Sequence, residues 1–212
     1  MTRCYLVRHA QTAWNHENRL QGHSDLPLNS LGEQQAQSLA RFFASRHLSG
    51  IFTSHLQRSR QTAQAIAEGN GHRLTPTIAQ ELAEMHLGAW EGLTPEEIDR
   101  QCTGAYAQWR TEPSSVLIPH AEPLEAFRGR VRRALQQILS GLTDGMDGEC
   151  VVVSHGGVIA AVLADVLDAN YDALLRRLRL DNAGITALEC SSERPYVLWV
   201  NVTTHLASLP AY

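Results

Sequence analysis

Short apolar runs alternate along the chain with longer segments whose apolar residues return every three or four positions. Residues 3–8, Gly50-Ile51-Phe52-Thr53 and Val151 to Ser154 are apolar runs of strand length, the pattern of strands buried on both faces. Arg73 to Ala79 predicts a further strand. Ile185–Cys190 and Tyr196–Val202, separated by Ser-Ser-Glu-Arg-Pro, predict two closing strands. Between these runs, Ser30-Leu31-Gly32-Glu33 reads as a capping box, and Ala36, Leu39, Ala40 and Phe43 follow at helical spacing. A helix from Arg58 to Glu68 ends before the turn signal Gly69-Asn70-Gly71. Thr94-Pro95-Glu96-Glu97 opens another helix, with threonine at the cap and proline in the first turn. Leu124, Phe127, Val131, Leu135, Ile138 and Leu142 predict a long amphipathic helix. Val158, Ile159, Val162 and Leu163 predict one more behind Gly156. Apolar strands alternating with helices imply an α/β fold with a mainly parallel sheet covered on both faces. Residues 93–121, with Trp109, Pro113 and Pro119, are the least regular stretch and are expected to project over one end of the sheet. No repeat, low-complexity tract or linker interrupts the 212 residues, so 1–212 are expected to form one domain.

Composition narrows the function. A net charge of -4 gives no electrostatic reason to bind nucleic acid or an anionic membrane. No apolar run approaches the ~20 residues of a membrane span, and the start leads straight into a strand, so a cytoplasmic protein is expected. Cys4, Cys102, Cys150 and Cys190 are scattered, mostly beside apolar runs, and read as reduced hydrophobes; no spacing suggests a metal site. All 18 basic residues are arginine. That removes Walker-A and Schiff-base chemistry and leaves the guanidinium, which binds phosphate through paired hydrogen bonds, as the fixed cation.

The candidate chemistry lies where strands stop. Leu6-Val7-Arg8-His9 and Val151-Val152-Val153-Ser154-His155-Gly156-Gly157 each deliver a histidine at a strand end, and Arg58 follows a third strand. Ligands of open α/β sheets bind beyond the carboxyl ends of the strands. Convergence there would set Arg8, His9, Arg58 and His155 around one volume, with the Gly156 N–H offered at a helix N-terminus. Such a cluster needs an anion, and phosphate is the natural one. Arginine charge lowers a neighbouring histidine's pKa and keeps it neutral, as a nucleophile must be. His9 is assigned that role, because Arg8 is adjacent and the loop from Gln11 to Gln21 can wrap the phosphate. A carboxylic acid beside a bound dianion holds its proton more tightly and can protonate a leaving alkoxide. Glu81, Glu84 and Glu91 are all available, and residue type alone does not choose among them.

Leu6 to Asn15 with Gln21-Gly22-His23-Ser24-Asp25-Leu26-Pro27-Leu28-Asn29, then Ser54 to Ala63, Leu82-Ala83-Glu84 with Gly88 to Gly92, and Val153 to Val158 form four ordered blocks. Together they resemble the histidine phosphatase superfamily, also called phosphoglycerate-mutase-like, over nearly the whole chain. The resemblance implies a three-layer α/β/α sandwich with a small helical insertion over the C-terminal strand edge. It implies a metal-independent phosphomonoesterase without cofactor, passing through a phosphohistidine on His9. Phosphate would be held by Arg8, Arg58 and His155, with help from Asn15 and the Gly156 N–H, and Gln21 and Gly22 would lie in the pocket loop. The resemblance also selects Glu84 as proton donor. Ala10, His55 and the stretch Pro119-His120-Ala121-Glu122 depart from the family's usual residues without removing a catalytic group.

Other features have plainer readings. Arg128, Arg130, Arg132 and Arg133 read as helix surface charge, Arg60 as a surface residue, and Trp90, Trp109 and Trp199 as packing. His16, His47, His72 and His205 read as structural or exposed; His23, His86 and His120 are candidate pocket residues. The expected partner is a small phosphorylated substrate, with a homodimer through the closing strand. The segments Leu180 to Gly184 and Asn201 to Leu206 are similar to metal-independent phosphoserine phosphatases, but Leu87 stands where that group tends to carry a histidine. The alternatives are a phosphoglycerate mutase, for which the insertion is short with Arg110 its clearest basic residue, and a non-catalytic phosphate-sensing module. The closing strand around Tyr196–Val202 is expected to be an edge that pairs with a second copy, or else the tail His205–Tyr212 to fold over the pocket.

Overall fold

The structure, a computed structural model, describes residues 2–72, 74–143, 148–190 and 195–209. Six strands form one sheet: β1 (Thr2–Arg8), β2 (Leu48–Thr53), β3 (Thr77–Ile78), β4 (Glu149–Ser154), β5 (Ile185–Cys190) and β6 (Pro195–Val202). Their order is β3-β2-β4-β1-β5-β6. β1, β2, β3 and β4 pair in parallel, while β5 is antiparallel to both β1 and β6. The sheet is thus mixed but mainly parallel, with β5 alone running against the rest.

The two-residue period of β1 divides the core. Cys4 and Leu6 face one side with Cys150, Val152 and Leu188, where Phe127, Val131, Ile159 and Leu163 cover them. Tyr5 and Val7 face the other with Val151, Val153 and Ile185, under Leu39, Phe43 and Ile66. The first cover is α6 (Leu124–Thr143) and α7 (Gly156–Val166); the second is α2 (Ser30–Phe43) and α3 (Gln57–Gly69). This is the expected three-layer α/β/α arrangement. A short α1 (Ala13–His16) follows β1, and α8 (Tyr171–Arg177) follows α7. The insertion comprises α4 (Pro95–Gln101), α5 (Ala105–Thr111) and a 3₁₀ turn at Pro113–Ser115. It closes its own small core around Trp90, Ile98 and Ile118.

Several boundaries differ from the sequence reading. The cap of α2 is Asn29, whose side chain accepts from the Gly32 N–H at 2.8 Å; Ser30 is already helical. The strand expected over 73–79 is only Thr77–Ile78, because β2 offers it two registered partners and the chain then turns into a 3₁₀ helix at Gln80–Leu82. Arg73 lies outside the described residues, as do the 191–194 connection and the tail's 210–212. The described tail turns as a 3₁₀ helix at Thr204–Leu206 and packs on α2, His205 lying against Phe42, on the face away from α6 and α7. The closing strand β6 is a sheet edge on which Tyr196 and Leu198 stand exposed. Among the described residues no helix is long and apolar enough to cross a membrane.

Candidate active site

Three parallel strands stop at the same edge of the sheet and hand over to the groups singled out above. β1 ends at Arg8, and the His9 N–H donates to Ser154 O at 2.8 Å across the β1/β4 seam. β4 ends at Ser154, and His155 is the N-terminal cap of α7. β2 ends at Thr53, and α3 starts four residues later with Arg58 in its first turn. Register fixes the first two positions: Arg8 pairs with Ser154, so the next residue on each strand leaves the sheet side by side. The His9 and His155 rings stand 5.2 Å apart. His9 is 3 % exposed, and Arg58 and His155 are 0 % exposed.

Burial decides the protonation of this cluster. Burial, then the Arg58 and Arg8 charges, hold His9 well below the ordinary histidine value of 6.5. His155 is lowered likewise by burial first, then by Arg58, His9 and Arg8. Burial also pulls Arg58 down to about 10, which leaves it charged at neutral pH. The neutral His9 has one available tautomer. Its Nδ1 lies 2.8 Å from the Ala10 carbonyl, which only accepts, so Nδ1 carries the proton. Its Nε2 accepts from Arg58 Nε at 3.2 Å and therefore keeps its lone pair. In His155, Nε2 lies 2.8 Å from Ser54 Oγ, while the buried Nδ1 has no protein partner. A Ser54 hydroxyl that donates to Nε2 leaves the His155 proton on Nδ1, available to a ligand.

Glu84 reaches the same volume from the loop after β3. Its Oε1 accepts from the Met85 N–H at 2.9 Å and its Oε2 from the Gly157 N–H at 3.0 Å. The loop itself is held by Arg130 of α6. That guanidinium donates to the Glu81 and Ala83 carbonyls, both at 2.6 Å, and to Glu84 O at 2.8 Å. It also grips both Glu122 carboxylate oxygens, at 2.8 and 2.7 Å. Arg130 is therefore no surface charge; its helix face is turned inward because three backbone carbonyls there need a donor. The His23 ring adds a contact to Glu84 O at 2.7 Å. Arg128 and Arg132 instead pair with Asp165 at the surface.

Arg8, His9, Asn15, Gln21, Gly22, Arg58, Glu84 and Gly157 line one cavity of about 190 Å³. The His155 ring adjoins that of His9 and Gly156 lies beside the Arg8 guanidinium, though neither residue is part of the cavity lining itself. Gly22 has φ +52°, and an added Cβ would collide with the Glu91 carboxylate, so this loop requires glycine. His86 stands apart from the cavity lining. Its Nδ1 bonds to His120 O at 2.9 Å and its ring meets that of His23 at 5.1 Å. Arg110 is exposed and also absent from the lining. Glu91 faces the loop rather than the cavity, accepting from the His23 and Leu87 N–H groups. Glu81 is exposed.

Three contributors escape the sequence reading. Ser54 orients His155; Arg130 clamps the Glu84 loop; and Asn182, ahead of β5, donates to His9 O at 3.0 Å and to Asn15 Oδ1 at 3.2 Å. Ser54 and Asn182 lie inside motif blocks, but nothing local marks their partners. Arg130 is hidden among neighbouring arginines.

An anion cradle of arginines and histidines at the strand ends of an α/β/α sandwich suits the phosphate of a phosphate monoester, and the chain's relatives include phosphatases that act on such esters. The chain belongs to the histidine phosphatase superfamily (branch 1), whose family model matches residues 4–203. Phosphoserine phosphatase 1 of Hydrogenobacter thermophilus is 30% identical over 206 residues, covering 97% of this chain and 95% of that protein. The glucosyl-3-phosphoglycerate phosphatase of Mycobacterium tuberculosis is 35% identical over 181 residues, or 81% and 79% of the two chains. Among solved structures, YhfR of Bacillus stearothermophilus superposes with a TM-score of 0.88 at 28% identity, covering 97% of this chain and 100% of that one.

Proposed function

We propose that residues 1–212 form one catalytic domain that hydrolyses a small phosphorylated metabolite without a metal, through a phosphohistidine on His9. The observation that carries this is the His9 tautomer: Nδ1–H is spent on Ala10 O, and the Nε2 lone pair meets Arg58 in the cavity wall. Nε2 attacks phosphorus while the bond to the leaving oxygen breaks. The Glu84 carboxyl gives its proton to that oxygen. Arg8, Arg58, the His155 Nδ1–H and the Gly156 N–H hold the phosphoryl oxygens, so fixed positive charge neutralises the transition state. Asn15 uses its Oδ1 inward, on Thr12 and Asn182, which leaves its NH₂ to donate to the phosphate. In the second half-reaction the Glu84 carboxylate takes a proton from water, and the water oxygen attacks the phosphohistidine to release inorganic phosphate.

The mutase alternative is less well supported, since Arg110, the insertion's clearest basic residue, is exposed and contributes nothing to the cavity lining. The test is brief incubation with a ³²P-labelled phosphomonoester, acid-stable and acid-labile label being separated, with and without chelator. Acid-labile label on wild-type protein, absent from His9→Ala and indifferent to chelator, is the expected result. Turnover that requires added metal, or that survives His9→Ala, overturns the reading.

A further inference from the structure

Outside the phosphate cradle, the same cavity has a wall of one character. Leu20 follows α1, Met85 and Leu87 follow Glu84 in its loop, Trp109 reaches in from α5, and Tyr171 and Leu175 present one face of α8. Four separate segments thus contribute six side chains with apolar bodies. The one charged member of this wall is Arg19, and its guanidinium is already committed. Nη1 donates to Glu97 Oε2 and to the Gly92 carbonyl, both at 2.6 Å, and Nε to Glu17 Oε2 at 3.1 Å. The insertion's Arg110 and the exposed Arg176 and Arg177 of α8 do not reach the lining. The imidazoles of His23 and His86 lie off it, against Glu84 O and the His120 carbonyl.

We infer that this site takes the phosphate monoester of an uncharged, apolar alcohol, an aryl-alkyl or short-chain alkyl phosphate, rather than one bearing a carboxylate. The inference rests on the phosphatase reading above and extends it to the leaving group. The phosphoryl end is matched by arginine and histidine. A carboxylate on the leaving side, as in phosphoserine or phosphoglycerate, would be stripped of water against Leu20, Leu175 and Trp109, where the one cation of the described lining, Arg19, is already held by Glu97 and Glu17. An apolar body instead gains by leaving water. The cavity of about 190 Å³ is below the range usual for drug-sized ligands, so one ring or a short chain is the size it suits.

Matched leaving groups test this without confusing recognition with reactivity. 2-Phenylethyl phosphate, phosphoserine and 3-phosphoglycerate are all alkyl phosphates, and methyl phosphate supplies the same chemistry with almost no body. The expected kcat/KM for 2-phenylethyl phosphate exceeds that for phosphoserine by about tenfold to a hundredfold, carried mainly by KM. Trp109→Ala should raise KM for 2-phenylethyl phosphate about fivefold more than for methyl phosphate. Because Trp109 also packs on Trp90, Leu175→Arg provides a second variant on a half-buried position. It should move the substrate ratio about tenfold toward phosphoserine by supplying the missing cation. Phosphoserine or 3-phosphoglycerate used as well as 2-phenylethyl phosphate by the wild type overturns the inference while leaving the phosphatase intact. Failure to hydrolyse any of the four, with no label on His9, instead overturns the phosphatase reading itself.

Discussion

Replacing Arg130 with methionine should separate acid catalysis from phosphate transfer. The substitution removes five hydrogen bonds at once, two to Glu122 and three to the backbone carbonyls of 81, 83 and 84. Arg130 and Glu122 are 15 % and 17 % exposed, so the carboxylate left behind is mostly out of water. Removing one partner of a fully buried pair costs about 3–5 kcal/mol; the residual solvent contact brings the expectation here to about 2–4 kcal/mol. For a chain of this size that corresponds to a fall in Tm of roughly 5–12 °C, readable by calorimetry. The consequence for activity is selective. Displacing the Glu84 carboxyl by about 1 Å should cost about a hundredfold in the first turnover of an alkyl phosphate, whose leaving oxygen needs a proton. 2,4-Dinitrophenyl phosphate, whose leaving group departs unprotonated, should lose only about threefold in the same single-turnover burst. Glu122→Gln, which keeps the neutral half of the clamp, should fall between. Equal losses on both substrates, or an unchanged Tm, would refute the clamp as the device that aims Glu84.

Three further outcomes follow from the geometry. His9 and His155 stay neutral when folded but bind protons below about pH 6.5 when unfolded, so the unfolded chain carries the excess protons and stability falls as pH drops through that range. Urea denaturation at pH 7.5 and 5.0 should show this, with a shallower fall in His155→Gln; an identical slope in the variant contradicts it. Ser54→Ala removes the hydroxyl bonded to His155 Nε2 and should lower kcat by about tenfold to a hundredfold with little change in KM. A pure KM effect would point to a different role. Gly22→Ala forces φ +52° on a side-chain-bearing residue and drives its Cβ into Glu91, so a loss of about 2–3 kcal/mol is expected by chemical denaturation. Arg58, which donates to Gly22 O at 2.8 Å, should lose phosphate affinity with it.

Strand ends and their chemistry were legible because they are local: an apolar run followed by Arg8-His9 or His155-Gly156-Gly157 announces both the strand and what it carries. The fold class followed from the same alternation, and the cap at Thr94 from four residues, where Thr94 and Glu97 bond reciprocally. What escaped was set by contacts far apart in sequence. The cap of α2 moved to Asn29 because that side chain also bonds Gln11 Oε1 at 2.9 Å in the pocket loop. Arg130 is indistinguishable in sequence from its exposed neighbours Arg132 and Arg133; only the distant carbonyls of 81, 83 and 84 set it apart. His86 follows Glu84 by two residues, yet its ring is held off the cavity lining by His23 and the distant His120 carbonyl.

The central position of β1 has a consequence for how the protein comes into being. Its two neighbours in the sheet, β4 and β5, are made some 140 to 190 residues after it, and His9 is held from both sides, through Ser154 and through Asn182 ahead of β5. On the ribosome, the Cys4-Tyr5-Leu6-Val7 ribbon therefore waits without a strand partner until β4 emerges, although α2 and α3 can already cover its Tyr5 and Val7 face. A fragment ending before β4 holds every atom of His9 yet has neither neighbour to set its geometry, so the site is assembled only after both later strands have been made.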